Sequence, residues 1–381
     1  MALLLRPFAR RAAAAPQRIL VIKPDHLGDV LLLTPALAAL RQRFPQAQIT
    51  VLLGPWATRL LAGNPAVDTL LTCPFPGFVR GEPARLVRPY LTLLRYAALL
   101  RAGRFDTALI ARDDHWWGGL LALAAGCGRR VGFAHPLVAP SLTAALPWDP
   151  QIHVTQQALD LVALLGVVAG IDDRCLEHSF PPQFFPTEAE HAWAADWLAT
   201  NSPDRPLLAI QPGSGGAAKL WPAEHWAALA RGLAERGTLV LTGGPADAAD
   251  VAAISALLDD RPHHTLVGAA SLGQLAALFG RCALVLGVDN GPLHLAVTQG
   301  VPTIHLFGPG DHRRFGPWGD PARHAVLRSG LWCSPCGVLT HCPRATSPSE
   351  CMATLSVAPV RALAQAMLQI GPRANVTAMA P

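Results

Sequence analysis

Charge is scarce in this chain. Only 15% of its 381 residues are charged, against 51% hydrophobic, so a disordered polymer is excluded. Long apolar runs are missing too. No uninterrupted stretch reaches the roughly 18–20 residues that a membrane-crossing helix needs. The longest candidate, Leu161–Ile171, is flanked by Asp160 and Asp172 and reads as a core helix. A secretory leader is not evident: the opening MALLLRPFARRAAAAPQ carries Arg6, Arg10 and Arg11, but its apolar pieces are too short. It reads either as a frayed extension or as a short basic helix lying on an anionic membrane surface. The formal net charge of +5 is mild. It points to an anionic partner and does not by itself indicate a nucleic-acid binder.

Without a secretion signal, a disulfide framework is not the first choice for the eight cysteines, and a reducing cytoplasm is expected. Cys73, Cys127, Cys175 and Cys282 are isolated and read as small core residues. The other four, Cys333, Cys336, Cys342 and Cys351, form C-x2-C-x5-C-x8-C, with His341 as a spare ligand. This set suits a structural zinc or iron; an unmetallated loop and redox pairing are the alternatives. A structural role is favoured because the cluster lies away, in sequence, from the candidate phosphate loops.

The length suffices for two domains. After an extension (residues 1–17), the first half alternates strands and helices. Strands are expected at Arg18–Lys23, Ile49–Leu53, Thr69–Thr72 and Thr107–Ala111. Helices are expected from Asp29 to about Arg43 and at Tyr90–Ala102, Trp116–Ala125 and Val154–Val168. The proline-rich SFPPQFFP at residues 179–186 reads as a linker, separating a domain over 18–178 from one over 187–355. Thr187 and Glu190 have the spacing of a capping box. A second series follows, with strands at Leu207–Gln211, Thr238–Thr242, His264–Val267, Ala283–Val288 and Thr303–Phe307. Its helices are Pro222–Arg236, Ala246–Leu258, Ser271–Phe279 and Pro292–Gln299, and a last helix lies near Val357–Leu368 (residues 356–370), before a tail over 371–381. This alternation predicts an α/β protein with two Rossmann-like halves facing each other across a cleft.

The loops at the carboxyl ends of the strands carry the candidate chemistry. Lys23-Pro-Asp-His-Leu-Gly-Asp29 holds two acids and a histidine. Asp29 can be a general base for a hydroxyl, or an ordinary helix N-cap. Gln211-Pro-Gly-Ser-Gly-Gly-Ala-Ala-Lys219 is glycine-rich between strand and helix. Its N–H groups can wrap an anion, with Lys219 adding a point charge. It lacks the GK[ST] of a P-loop. The strand Thr238–Thr242 ends in Gly243-Gly244 without the acid of an NAD site, which argues against a dehydrogenase. In Val288-Asp-Asn-Gly-Pro-Leu-His294, Asn290-Gly291 makes a turn and Pro292 suits the first helical position. Asp289 is a sugar-hydroxyl ligand or a turn residue. His294 is a phosphate or sugar donor, or a core histidine. Asp250 can reach a ribose or lie on a solvated helix face. Arg80, Arg85, Arg88, Arg95, Arg101 and Arg104, with Arg129-Arg130 nearby, form a docking surface for an acidic acceptor or membrane, or a solvated helix side.

Together these pieces resemble glycosyltransferase family 9, the ADP-heptose:lipopolysaccharide heptosyltransferases, from about Arg18 to about Leu368. The carrying motifs are ILVIKPDHLGDVLLLTPALAALRQRFP, LLAIQPGSGGAAKLWPAEHWAALA, TLVLTGGP and LGVDNGPLHLAVTQGVPTIHLFGP. The CSPC cluster is similar to that of the heptosyltransferase II branch. The resemblance implies a GT-B fold, with acceptor on the N-terminal half and nucleotide-sugar on the C-terminal half. It implies metal-independent, inverting transfer, with no catalytic cofactor. Asp29 matches the family's proposed base and Lys219 the lysine that offsets the diphosphate. Asp289, Asn290, Gly291 and His294 match the donor-binding turn and helix, and Ser214 a hydroxyl near the phosphates. Arg80, Arg85 and Arg88 are the candidate acceptor contacts; that segment and the N-terminal extension have no counterpart in the motifs.

The sequence therefore predicts a cytoplasmic enzyme, peripheral on the inner face of a bacterial inner membrane. It would move heptose from ADP-heptose to an anionic glycolipid of the lipopolysaccharide core, with no nucleic-acid partner. A sister transferase with another donor or acceptor, and a non-catalytic nucleotide-sugar-binding protein, are the alternatives.

Overall fold

The structure, a computed structural model, describes residues 15–79, 87–166, 180–259 and 261–370. Short, mostly apolar runs, buried along most of their length in the inner strands and only partly buried at the outer ones, form its strands, and each half of the chain gathers six of them into a parallel sheet. The chain divides into compact units at Met1–Phe185 and Pro186–Pro381.

In the first unit the strands are β1 (Arg18–Lys23), β2 (Gln48–Leu53), β3 (Thr69–Thr72), β4 (Thr107–Ile110), β5 (Arg129–Phe133) and β6 (Ala144–Leu146), in the order β3-β2-β1-β4-β5-β6. Its principal helices are α1 (Leu27–Leu31), α2 (Thr34–Arg43), α3 (Arg88–Ala102), α4 (Trp116–Ala124) and α5 (Val154–Ala163). The second unit repeats the pattern. Its strands are β7 (Leu207–Gln211), β8 (Thr238–Gly243), β9 (His263–Val267), β10 (Cys282–Val288), β11 (Thr303–Phe307) and β12 (His324–Arg328), ordered β12-β11-β10-β7-β8-β9. Its principal helices are α6 (Glu188–Asn201), α7 (Ala223–Leu233), α8 (Ala248–Ala256), α9 (Leu272–Phe279), α10 (Gly291–Thr298) and α11 (Val357–Ile370).

Period-two alternation sorts the second unit's strand residues onto two faces. Leu208, Ile210, Leu239, Leu241, Leu284 and Leu286 pack with Trp226, Val251 and Val360 of α7, α8 and α11. Leu207, Ala209, Val240 and Val285 pack with Ala194, Phe279 and Leu293 of α6, α9 and α10. A sheet covered on both sides explains why its strands read as continuous apolar runs. The capping box is formed: Thr187 N–H donates to Glu190 at 2.7 Å, and Glu190 N–H to Thr187 Oγ1 at 3.3 Å. Cys73, Cys127 and Cys282 are buried; Cys175 lies outside the described residues.

The fold departs from the sequence reading in three places. The first long helix is broken into α1 and α2, because Pro35 has no N–H to continue the ladder and Thr34 Oγ1 donates back to the Leu31 carbonyl at 2.6 Å. Strands β5, β6 and β12 were not foreseen. β5 opens on two arginines, yet Arg130 is buried, its guanidinium donating to the carbonyls of Ser141 and Cys127. Helix α5 ends at Ala163; beyond residue 166 the expected helix leaves the described residues. Among those described, no helix is long and apolar enough to cross a membrane.

Gly287 of β10 pairs with Gln211 of β7, and a Cβ there would lie 2.6 Å from the Gln211 carbonyl oxygen. Backbone on the neighbouring strand cannot yield cheaply. Gly287→Ala should lower stability by about 1–3 kcal/mol, read as a fall in the urea midpoint with the slope unchanged.

Candidate functional site

In both sheets the strand order reverses direction between two central neighbours, β1 and β4 in the first, β7 and β10 in the second. The loops leaving such a pair diverge, and the crevice they leave is where open α/β sheets receive ligands. The candidate loops Lys23–Asp29, Gln211–Lys219 and Asp289–Gly291 leave three of these four strands, β1, β7 and β10.

At the second unit's switch point, Lys219 Nζ lies 3.2 Å from Asp289 Oδ2, both side chains 14% exposed. Ser214 Oγ makes a long contact of 3.4 Å with the Asp289 carbonyl. Asn290 caps α10 by accepting from Leu293 N–H at 2.8 Å, and its amide donates to the Gly213 carbonyl at 2.7 Å. The two loops are thus locked across the gap, and the N-terminus of α10 at Gly291 opens beside them. A mostly buried cation that keeps some exposure next to a helix N-terminus is an arrangement suited to an anion. Ser214, Lys219, Asp289, Asn290 and Gly291 therefore come together. Asp250 is half-buried in the first turn of α8, its carboxyl pushed up by burial and by Asp247. It is Asp247 that packs on the glycine loop: a Cβ at Gly213 would lie 2.1 Å from the Asp247 carboxyl carbon. The acid two residues past Gly243-Gly244-Pro245 was the only sequence signal for it.

His294 is buried, and burial holds its imidazole down to about 4, so it is neutral at pH 7. It stands in a layer with His305, ring centroids 5.7 Å apart. Thr303 Oγ1 links His305 and His324, at 2.9 Å from each. Burial likewise pushes His324 down to about 4. The layer supports the loops from behind.

The four clustered cysteines do not lie apart from the phosphate loops. The Leu339 carbonyl accepts from Ala218 N–H at 3.1 Å, Ser334 Oγ donates to Gly308 O at 2.6 Å, and Gly337 N–H to Pro309 O at 2.9 Å. This loop braces the Lys219 loop. Burial, with the nearby thiols of Cys336, Cys342 and Cys333, pushes the Cys351 thiol up to about 11. The ligand set read for Cys333, Cys336, Cys342 and Cys351 is nonetheless not assembled: among the described residues no group of His, Cys, Asp and Glu is placed to hold a metal ion. Cys351 is buried in the short helical turn Glu350–Ala353, where Met352 packs on Gly308, whereas Cys336 is exposed.

The first unit's switch point holds a cluster that the sequence reading missed. Asp25, its side chain 4% exposed, lies 3.0 Å from Lys23 Nζ and is also paired with Arg112, which leaves β4. Burial works to raise the Asp25 carboxyl, but Lys23 and Arg112 outweigh it and hold it below the usual range. Lys23 also donates to the Ala111 carbonyl at 3.0 Å, and Arg112 pairs with Asp114. His115 sits buried among Phe75, Phe78 and Trp117, pushed down to about 4 by burial. The signal was ARDDH directly after an apolar strand, which carries meaning only once β4 is known to adjoin β1.

Asp29 lies inside the first turn of α1, whose N-cap is His26, so the N-cap reading is not what the fold adopts. It is half-buried. Arg88 is exposed at the start of α3; Arg80 and Arg85 lie outside the described residues. Arg101 donates to the Ala124 carbonyl at 3.1 Å and Arg130 is buried, so the arginine-rich segment does not form one continuous surface.

The family model described as glycosyltransferase family 9 (heptosyltransferase) matches residues 93–343. A lipopolysaccharide heptosyltransferase 3 of Escherichia coli is 26% identical over 303 residues, covering 76% of this chain and 83% of that protein. A family 9 glycosyltransferase structure from Veillonella parvula aligns with a TM-score of 0.79 at 24% identity, covering 95% of this chain and all of that one. The structure of Escherichia coli ADP-heptose lipopolysaccharide heptosyltransferase II aligns at 0.70 and 22% identity, covering 93% and 99%. These likenesses identify the α/β architecture as GT-B.

Two predictions follow from the geometry. Asn290→Asp keeps the cap but loses the donor to Gly213; it should cost about 1–3 kcal/mol for the buried carbonyl left unpaired, measured by denaturant unfolding. His294 and His324, held near 4 against about 6.5 unfolded, favour the folded state above pH 6.5. That advantage drains away as pH falls from 6.5 towards 4. Each should cost roughly 2 kcal/mol by pH 5, so the thermal midpoint should drop between pH 7 and 5, and a flat profile would refute buried neutral histidines.

Proposed function

The chain belongs to glycosyltransferase family 9, and from that premise we propose that it transfers heptose from ADP-heptose to an acceptor of the lipopolysaccharide core. The donor is that of the structurally similar Escherichia coli ADP-heptose lipopolysaccharide heptosyltransferase II, and the pathway that of the similar Escherichia coli lipopolysaccharide heptosyltransferase 3. The observation that carries the reading is the Lys219–Asp289 pair beside the Asn290-capped N-terminus of α10.

A nucleoside diphosphate leaving group gathers negative charge as its bond to the sugar breaks. Lys219 and the N-terminal amides of α10 supply fixed positive charge for it, already oriented before reaction. Asp289 keeps the lysine in place while the diphosphate is absent. On this reading it then turns to the sugar or to a donor N–H, with Ser214 near the phosphates. His294, neutral and buried, acts by supporting this turn. Asp247, against Gly213, is better placed than Asp250 to approach the nucleoside.

In the first unit, Asp29 takes the proton from the acceptor hydroxyl. The freed oxygen bonds to the anomeric carbon from the face opposite the diphosphate, and ADP departs with the electron pair, inverting the configuration. On this reading Lys219 and the N-terminus of α10 carry that charge in place of a metal ion. Asp25 is unsuited to the proton transfer, because Lys23 and Arg112 hold it ionised and occupied. Arg88 and the arginines before it are candidate contacts for the anionic acceptor. Such a lipid-borne substrate would place the enzyme on the cytoplasmic face of the inner membrane.

Calorimetric titration with ADP-heptose, ADP and GDP-mannose tests the donor site. Adenine nucleotides should bind selectively, and Lys219→Ala should weaken them about ten- to hundredfold. Binding indifferent to Lys219 would refute the diphosphate assignment. Asp29→Asn should retain donor affinity while lowering kcat by about 10²–10⁴; unchanged turnover would remove Asp29 as the base.

A further inference from the structure

Helix α3 carries an apolar stripe that nothing in the described unit covers. Leu93, Ala97 and Leu100 face the core. On the other side, Val87 is 65% exposed, Leu91 61% and Leu94 64%, with Tyr90 at 48%. Val87, Leu91, Leu94 and Ala98 recur at i, i+4, i+7 and i+11, a single helical face. Arg88 and Arg95, both exposed, border this stripe, and α3 contains no acidic residue. A solvated surface helix would not put its leucines outward, and a helix bound for an acidic protein would not need the leucines.

The location adds a second argument. Trp117 Nε1 donates to the Pro89 carbonyl at 2.9 Å, tying the start of α3 to the start of α4. That junction borders the loop of Arg112 and His115, at the carboxyl edge of the first sheet. Trp116, 36% exposed, emerges at the same place. An apolar stripe with arginine flanks and interfacial aromatics has the chemistry of a helix lying in the headgroup region of an anionic bilayer.

We infer that the exposed face of α3, with Val87, Tyr90, Leu91 and Leu94 as its apolar stripe and Arg88 and Arg95 as its flank, is a docking surface for an anionic lipid membrane. This deepens the proposed function, on which its purpose rests: a lipid-borne acceptor would be met at the edge where the first unit's polar cluster lies.

The test is flotation of the full chain with vesicles of phosphatidylcholine, with and without phosphatidylglycerol. Binding is expected only where phosphatidylglycerol is present. Leu91→Glu with Leu94→Glu should reduce partitioning about a hundredfold or more, and Arg88→Glu with Arg95→Glu roughly thirtyfold or more. Leu91 and Leu94 are exposed, so the leucine variant's thermal midpoint should not move. The leucine variant should also keep wild-type affinity for ADP-heptose. Absence of flotation, or variants that float like the wild type, would overturn the inference. So would a concentration-dependent dimer in sedimentation that the leucine variant abolishes while flotation stays unchanged, since the occupant would then be a second copy. Loss of donor binding with flotation intact would count against the proposed function alone and leave the docking surface standing.

Discussion

Two loops that leave adjacent parallel strands in opposite directions have nothing between them but their own side chains. In this protein that gap is closed twice by a cation and a carboxylate from opposite sides of it, Lys219 with Asp289 and Arg112 with Asp25. An amide or amine completes each closure by satisfying a backbone carbonyl across the gap: Asn290 that of Gly213, Lys23 that of Ala111. Buried carbonyls and half-buried charges are costly when left alone and tolerable when matched. The matched sets fix the loop geometry on which any ligand chemistry depends.

The two closures differ in what they leave available. In the first unit Asp25 is sealed between two cations with 4% of its side chain exposed. Its charge is spent on structure, whereas Asp29 lies half-buried in the first turn of α1. In the second unit a single lysine meets a single acid, and both remain partly open. One lysine with spare donors, beside a helix N-terminus, can accept an anion without first breaking a saturated network. The proposed reaction draws on that asymmetry, with the proton handled in one unit and the diphosphate in the other.

Behind the second site, small residues and neutral rings take the strain. Gly213 leaves room for Asp247, Gly287 for the Gln211 carbonyl and Gly308 for Met352. His294, His305 and His324 fill a buried layer that disfavours charged imidazolium, so the layer is most stable while its rings stay neutral. The cysteine-bearing loop is hydrogen-bonded to the strand-end loops through Leu339, Ser334 and Gly337. The site is therefore built from side chains at strand ends, held by close packing and by hydrogen bonds from the cysteine-bearing loop.

The sequence by itself determined most of the strands and the two-part α/β organisation, and it singled out the strand-end loops as the candidates for chemistry. These are local signals: an apolar run, a glycine turn, an acid or lysine at a strand's end. It also made Asn290-Gly291-Pro292 legible as a turn entering a helix. Only the tertiary structure decided which loops meet. Lys219 and Asp289 are 70 residues apart, and Asp25 and Arg112 are 87; their contact follows from strand order, which no local pattern encodes. Burial, too, was decided there. It turned His294 into a neutral support, Arg130 into a core donor and the cysteine loop into a brace, because the solvation of a side chain depends on everything folded around it.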